Sequence, residues 1–308
     1  MQRLKDVDEM SYIGLYTYQN LKFGGIDKKT EEAKYVVIGV PFDFTSTYRP
    51  GSRFAPSAIR EASQNLETYC LRNGLDVEDL SIGDIGDLDI IEDVEGTLQR
   101  LQLVLKEILD AEKNPIVLGG EHTVTYGCVK AFNDVAVISF DAHMDLRDEY
   151  LGSKLSHATF MRRLCEQLGS ETIVEVGVRA VCREELNFAE KTGLKYVTSL
   201  DIMRSVKDIN KEIKDVLSSF SQVYVTIDMD VLDPAYAPGV GNPVPEGLSP
   251  TTLLDILQNI CDYNVVGFDV VEVAPQYDSG ITSLQASHIV FNMVAFIENY
   301  NRTNISKG

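Results

Sequence analysis

Two histidines and four aspartates stand in three short groups: His122 in Gly119-Gly-Glu-His122, then Asp141-Ala-His143-Met-Asp145, then Asp228-Met-Asp230. The chain holds only four histidines in 308 residues, and two of them fall in these acidic groups. Imidazole and carboxylate without thiolate suit hard or borderline divalent cations. Six such ligands are more than one ion with open positions needs. Shared between two ions, they leave room for a bridging water, which points to a two-metal hydrolytic centre. A lone Asp in such a place is ordinarily an N-cap or turn residue, and a lone His a hydrogen-bonded structural one, as His288 is read here. Three groups after three separate strands are hard to obtain in that way.

The groups follow apolar, β-branched runs at 116–118, 137–140 and 223–227. Strand alternation puts Asp141, His143 and Asp145 on one side if the extended geometry persists, and likewise Asp228 and Asp230. Strands are expected at 35–40, 116–118, 135–140, 172–178, 194–197, 223–227 and 265–271. Helical patterns lie between them, from Pro56 and at 94–112, 123–132, 157–168, 183–192, 209–220, 250–261 and 284–300. Such alternation predicts an α/β fold, a parallel sheet covered by helices. No Gly/Ser/Pro-rich linker divides the chain, so residues 1–308 read as one domain. The Pro/Gly-rich stretch 234–250 reads as a functional loop. Alternation does not separate a doubly wound sheet from an eightfold barrel, because both place ligands at the carboxyl ends of strands.

At 44% hydrophobic and 24% charged, the composition is that of a globular protein. No apolar run approaches the ~18–20 residues that span a bilayer. The mixed charges of the N-terminus do not form a signal peptide, and five scattered cysteines without a CxxC read as reduced thiols, so the expected location is cytoplasmic. The net charge of −19 disfavours nucleic acid and anionic membrane as partners. It favours a cationic small molecule, although solubility alone would also account for it.

Together the three groups resemble the signature blocks of the ureohydrolases, the arginases and agmatinases. Val37-Ile-Gly-Val-Pro-Phe-Asp-Phe with Arg49-Pro-Gly-Ser-Arg-Phe-Ala-Pro-Ser-Ala-Ile-Arg60 resembles that family's first block, and Asp269-Val-Val-Glu272-Val-Ala-Pro275 its last. The resemblance runs from about residue 35 to about residue 295. It implies an arginase-like three-layer α/β/α sandwich, doubly wound on a mainly parallel eight-stranded sheet. It implies two Mn²⁺ per chain, one held by His122, Asp141, Asp145 and Asp228, the other by Asp141, His143, Asp228 and Asp230. A metal-bridging hydroxide would attack the guanidinium carbon and release urea and an amine. The catalytic residues implied are His157, a proton shuttle in Ser156-His157-Ala158, together with Glu272, which anchors the guanidinium, and Asp145. A homo-oligomer, trimer or hexamer, is implied as well.

The loop Asp145-Leu-Arg-Asp-Glu-Tyr-Leu-Gly-Ser-Lys-Leu-Ser-His157 resembles the agmatinase version. Arginases carry an Asn where Arg147 stands, and acidic residues where Gly177-Val-Arg179 continues into Ala180-Val-Cys182. The implied reaction is therefore hydrolysis of agmatine to urea and putrescine, with Glu272, His157, Asn242 and Asp148 as substrate contacts. The family's Gly-Thr-Pro is here Gly241-Asn242-Pro243, which leaves another guanidino compound open: guanidinobutyrate, guanidinopropionate or arginine. A carboxylate-bearing substrate would want a cationic partner, Arg147 or Arg179. A two-metal phosphoesterase would need phosphate-clamping cations that the three blocks lack beyond Arg147. A non-catalytic metal-binding subunit would be expected to lack ligands or Glu272.

Overall fold

Near-continuous Val/Ile runs make strands buried on both faces, as a helix-covered parallel sheet requires. The computed structural model describes residues 11–18, 21–26, 28–206, 210, 213–214 and 217–305. Among them the strands are β1 (Thr17–Tyr18), β2 (Tyr35–Gly39), β3 (Tyr69–Cys70), β4 (Leu75–Asp76), β5 (Ile82–Leu88), β6 (Asn114–Leu118), β7 (Ala136–Phe140), β8 (Ile173–Val178), β9 (Lys195–Thr198), β10 (Val223–Asp228) and β11 (Val265–Val271). One nine-stranded sheet runs β1-β5-β2-β6-β11-β10-β7-β8-β9, with β3 and β4 a separate hairpin. Two-residue β1 pairs antiparallel at one edge, and the other eight strands are parallel. The open edges exclude a barrel.

Helices cover both faces. Val37, Ile138 and Val225 point to one side, where Ala55–Ser63, Pro250–Ile260 and Ile281–Ile305 pack. Val36, Val137 and Tyr224 point to the other, under Val94–Asp110, Val124–Val129, Phe160–Leu168 and Arg183–Thr192. This is the three-layer, doubly wound arrangement. Among the described residues no helix is long and apolar enough to cross a membrane.

The seven expected strands and most helices are found within a few residues of their expected ends. The helix expected from 157 begins at Phe160, and the one expected over 209–220 lies largely outside the described residues. Strand β5, Ile82-Gly-Asp-Ile-Gly-Asp-Leu88, was not expected, because buried Asp84 and Asp87 break its apolar pattern. Fully buried Arg60 reconciles them with the core. It reaches Asp84 with Nε at 2.8 Å and Nη2 at 2.9 Å, and Asp87 with Nη1.

The topology places the candidate chemistry. Strands β6, β11, β10 and β7 are adjacent, although the chain visits β6 and β7 first and fills the gap with β10 and β11 much later. All four ends open on one crevice, where ligands bind in open α/β sheets.

Candidate metal centre

Strand β6 ends in Gly119-Gly120, which lets the chain pass against its neighbour. A Cβ on Gly120 would lie 1.9 Å from the Phe42 carbonyl oxygen. Glu121 N–H donates to that same carbonyl at 2.7 Å, and the turn delivers His122 to the crevice. Asp141 follows β7 and Asp228 closes β10. Neither group stays extended as expected. Asp230 lies in a 3-10 turn, Met229–Val231, capped by Asp228, whose Oδ1 accepts from Asp230 N–H at 2.8 Å. Asp145 has φ 51°, a left-handed backbone that side chains other than Gly avoid. Glu272, straight after β11, has φ 65°. Such strain collects at functional sites, where the surroundings enforce it.

All six expected ligands converge. His122 Nδ1 lies 2.9 Å from Asp141 Oδ2, 3.3 Å from Asp228 Oδ2 and 3.6 Å from Asp145 Oδ2. His143 Nδ1 lies 3.0 Å from Asp230 Oδ2 and 3.4 Å from Asp141 Oδ1. Two ligand sets share Asp141: His122 with Asp145, and His143 with Asp230. Ligands about 2.1 Å from an octahedral ion and at right angles stand about 3 Å apart, so these spacings fit shared cations.

The electrostatics make the same demand. Burial, then repulsion from Asp141, pushes the Asp145 carboxyl well above the usual range; burial, then Asp230, does so for Asp228. Burial opposes charge on His122, but the Asp141 carboxylate beside it outweighs that and raises the ring to about 9. His143 is raised in the same way by Asp230 and Asp141. The site calls for positive charge.

The second ring nitrogen of His122 explains which atom is free. Nε2 lies 2.9 Å from Thr226 Oγ1, which donates its own proton to Asp269 Oδ1 at 2.6 Å. Thr226 therefore accepts from Nε2–H, which leaves Nδ1 as the nitrogen turned to the carboxylates, able to exchange its proton for a cation. That buried Nδ1 has no aligned hydrogen-bond partner, although Asp141 stands 2.9 Å away. An orphaned imidazole nitrogen among carboxylates suits a metal, and the Thr226–Asp269 contact is the usual support for a ligating His.

The crevice is a cleft of about 460 Å³, large enough for a small molecule. His122, His143, Asp145, His157, Asp228, Asp230, Asn242 and Glu272 all line it. Buried Glu272 accepts from His122 N–H at 2.8 Å. Burial, then the charge of Glu121, pushes its carboxyl up to about 8. Burial, with His143 and His122 nearby, lowers His157 to about 4, so its ring is neutral at pH 7.

Asp148 does not line the cleft, and its expected substrate contact is corrected. Arg147 and Tyr150 on the same loop line the cleft, while the Asp148 carboxylate meets Arg163 at 2.7 Å. Arg179 lines the cleft, but its side chain is already engaged. Its guanidinium is taken up by main-chain carbonyls, including Asp230 at 2.6 Å, Gly177 at 3.1 Å, Val244 at 2.9 Å and Pro245 at 3.0 Å. It ties the Met229–Val231 turn to the loop beside Asn242. Arg147 remains in the wall, 5.3 Å over the Tyr150 ring. The sequence reading did not single out Thr226, although alternation with Asp228 marks it, nor Thr47, Tyr150 and Glu185, for which it holds no local signal.

The Arginase family model matches residues 33–295, most of the chain. The chain belongs to the arginase family. An agmatinase of Bacillus cereus is 39% identical over 272 residues, covering 86% of this chain and 92% of that one. An N(1)-aminopropylagmatine ureohydrolase of Thermococcus kodakarensis is 34% identical over 293 residues, covering 94% of this chain and 99% of that one. The crystal structure of an agmatine ureohydrolase of Thermoplasma volcanium superposes with a TM-score of 0.87 at 39% identity, covering 93% of this chain and 97% of that one. This arginase-family member is a ureohydrolase, an enzyme acting on C–N bonds, and most resembles the agmatinases. The family is one of binuclear metal enzymes, and the paired ligand sets fit that character.

Proposed function

We propose that the cleft hydrolyses the guanidinium of agmatine to urea and putrescine with two Mn²⁺. The two ligand sets that share Asp141, with Asp228 3.3 Å from His122 Nδ1 and Glu272 in the same cleft, carry this reading. His122, Asp141, Asp145 and Asp228 would hold one ion, and Asp141, His143, Asp228 and Asp230 the other. When bound, the ions supply Lewis-acid activation of a water, making it nucleophilic near neutral pH. Glu272 pairs with the planar guanidinium and aims its carbon. His157 carries a proton to the departing nitrogen as the C–N bond breaks. The family match over 33–295 supports one ureohydrolase domain, and we extend the reading to a cytoplasmic homo-oligomer, trimer or hexamer.

The relatives' names favour agmatine over arginine, as does the missing set of amino-acid contacts at Arg147, Ala180 and Cys182. One observation favours a guanidino acid instead: among the described residues Arg147 has no ion-pair partner, yet it lines the cleft. Urea release from agmatine, N(1)-aminopropylagmatine, guanidinobutyrate and arginine, assayed side by side with Mn²⁺, decides. Arginine should trail agmatine in kcat/KM by about 10²-fold or more, since an unpaired buried charge costs several kcal/mol. Guanidinobutyrate ahead of agmatine would assign the site to guanidino acids.

A further inference from the structure

The Thr45 hydroxyl, on the loop after β2, touches His157 twice and a buried carboxylate once. Oγ1 is 3.1 Å from His157 Nδ1, 3.0 Å from the His157 main-chain nitrogen and 2.5 Å from Glu121 Oε1. Glu121 is fully buried and faces donors on both oxygens: Thr45 N–H at 2.7 Å, Ser46 N–H at 3.0 Å and the Thr123 hydroxyl at 2.5 Å, besides Thr45 Oγ1 itself. A carboxylate so placed only accepts. Thr45 has one hydroxyl proton, and the charge-assisted bond to Glu121 takes it. Its lone pairs are then left for the two nitrogens of His157, so Nδ1 must donate. The proton on Nδ1 fixes the tautomer, and Nε2 keeps its lone pair for the cleft that His157 lines. Tyr150 meets the imidazole edge-on at 5.7 Å, a second restraint on the ring.

We propose that Thr45, turned by Glu121, is a positioning residue for His157. It holds the ring and its tautomer so that Nε2 takes a proton from the attacking water and passes it to the departing nitrogen. The inference rests on the reading of His157 as proton carrier, and the experiment separates the two.

Thr45→Val removes the hydroxyl at nearly constant volume, and Thr45→Ser keeps it. Both are made in the Mn²⁺-loaded enzyme and in a His157→Ala background, with urea release, metal content per chain and melting temperature measured on each preparation. Thr45→Val should lower kcat about 10- to 100-fold, the usual effect of losing a supporting partner, with KM and metal content unchanged. Thr45→Ser should recover most of the rate. In the His157→Ala background Thr45→Val should cost almost nothing more, because its effect runs through the missing ring. Wild-type kcat in Thr45→Val while His157→Ala is impaired would overturn the positioning role and leave the His157 reading intact. So would an equal loss from Thr45→Val with and without His157, which marks a structural role. If Thr45→Val lowers melting temperature or metal content, the Ser variant decides: failure to recover the rate at full metal content overturns the proposal. Full activity in His157→Ala would remove both readings.

Discussion

His122 is held at both ring nitrogens, and the two contacts do different work. Thr226 takes the Nε2 proton and passes its own to Asp269, which also accepts from Thr125 Oγ1 at 3.0 Å and Tyr224 OH at 2.9 Å. Four groups on two strands and one helix therefore decide that Nδ1 is the nitrogen turned to the carboxylates. Thr226→Val keeps the volume and breaks this chain. It should weaken metal binding about 10- to 100-fold, with Thr226→Ser near wild type, as read by chelator competition. Equal affinity in the two variants would show that the hydroxyl has no hold on the ligand. Much at this scale was legible in the sequence, because three Asp/His groups after three separate strands exceed what caps and turns call for. Asp148 was not. Its charge in the loop after Asp145 suggested substrate, but its partner Arg163 comes from the helix after the loop. The ion pair is not written in the spacing. The partnership of Thr45 with His157, 112 residues apart, is invisible for the same reason.

At the scale of elements, the strands were legible wherever both faces are apolar. β6, β7, β10 and β11 are the innermost strands and read most clearly. β5 escaped because its two aspartates are balanced by Arg60 from a helix that no local pattern connects to it. Two-residue β1 and the short hairpin carry too few residues for a period to show. The alternation of strands and helices left the barrel open, and the open edges of the sheet, with β6 paired to β11 and β10 to β7, close the question. One element end is suboptimal. The helix Val94–Asp110 ends ahead of exposed Glu112, which has φ 57° where a Gly ordinarily sits. Its N–H bonds Leu109 O at 2.8 Å, and that of Lys113 bonds Ile108 O at 3.2 Å, so the turn is well made. Glu112→Gly relieves a left-handed penalty of ~1–2 kcal/mol against a Gly chain-entropy cost of ~0.5–1 kcal/mol. Chemical denaturation should show a gain of about 0.5–1 kcal/mol with turnover unchanged. A loss of stability would mean that the Glu side chain contributes more than its backbone costs.

The whole molecule carries a net charge of −19, and a cationic substrate must reach a cleft whose centre is built of carboxylates. Long-range attraction of that kind is screened over ~10 Å at 0.1 M salt. Raising NaCl from low to high concentration should lower kcat/KM for agmatine several-fold while kcat holds, and should leave guanidinobutyrate, whose charges cancel, nearly unaffected. The same salt response for both would remove steering from the account. Sharing of this centre by two ions through Asp141 and Asp228 is the core of the proposed function. It is tested most directly by adding Mn²⁺ stepwise to metal-free protein while counting bound ions and urea released from the preferred substrate. Full activity should arrive only with the second ion per chain, and Asp141→Ala should hold neither ion tightly. Full activity at one ion per chain would contradict it.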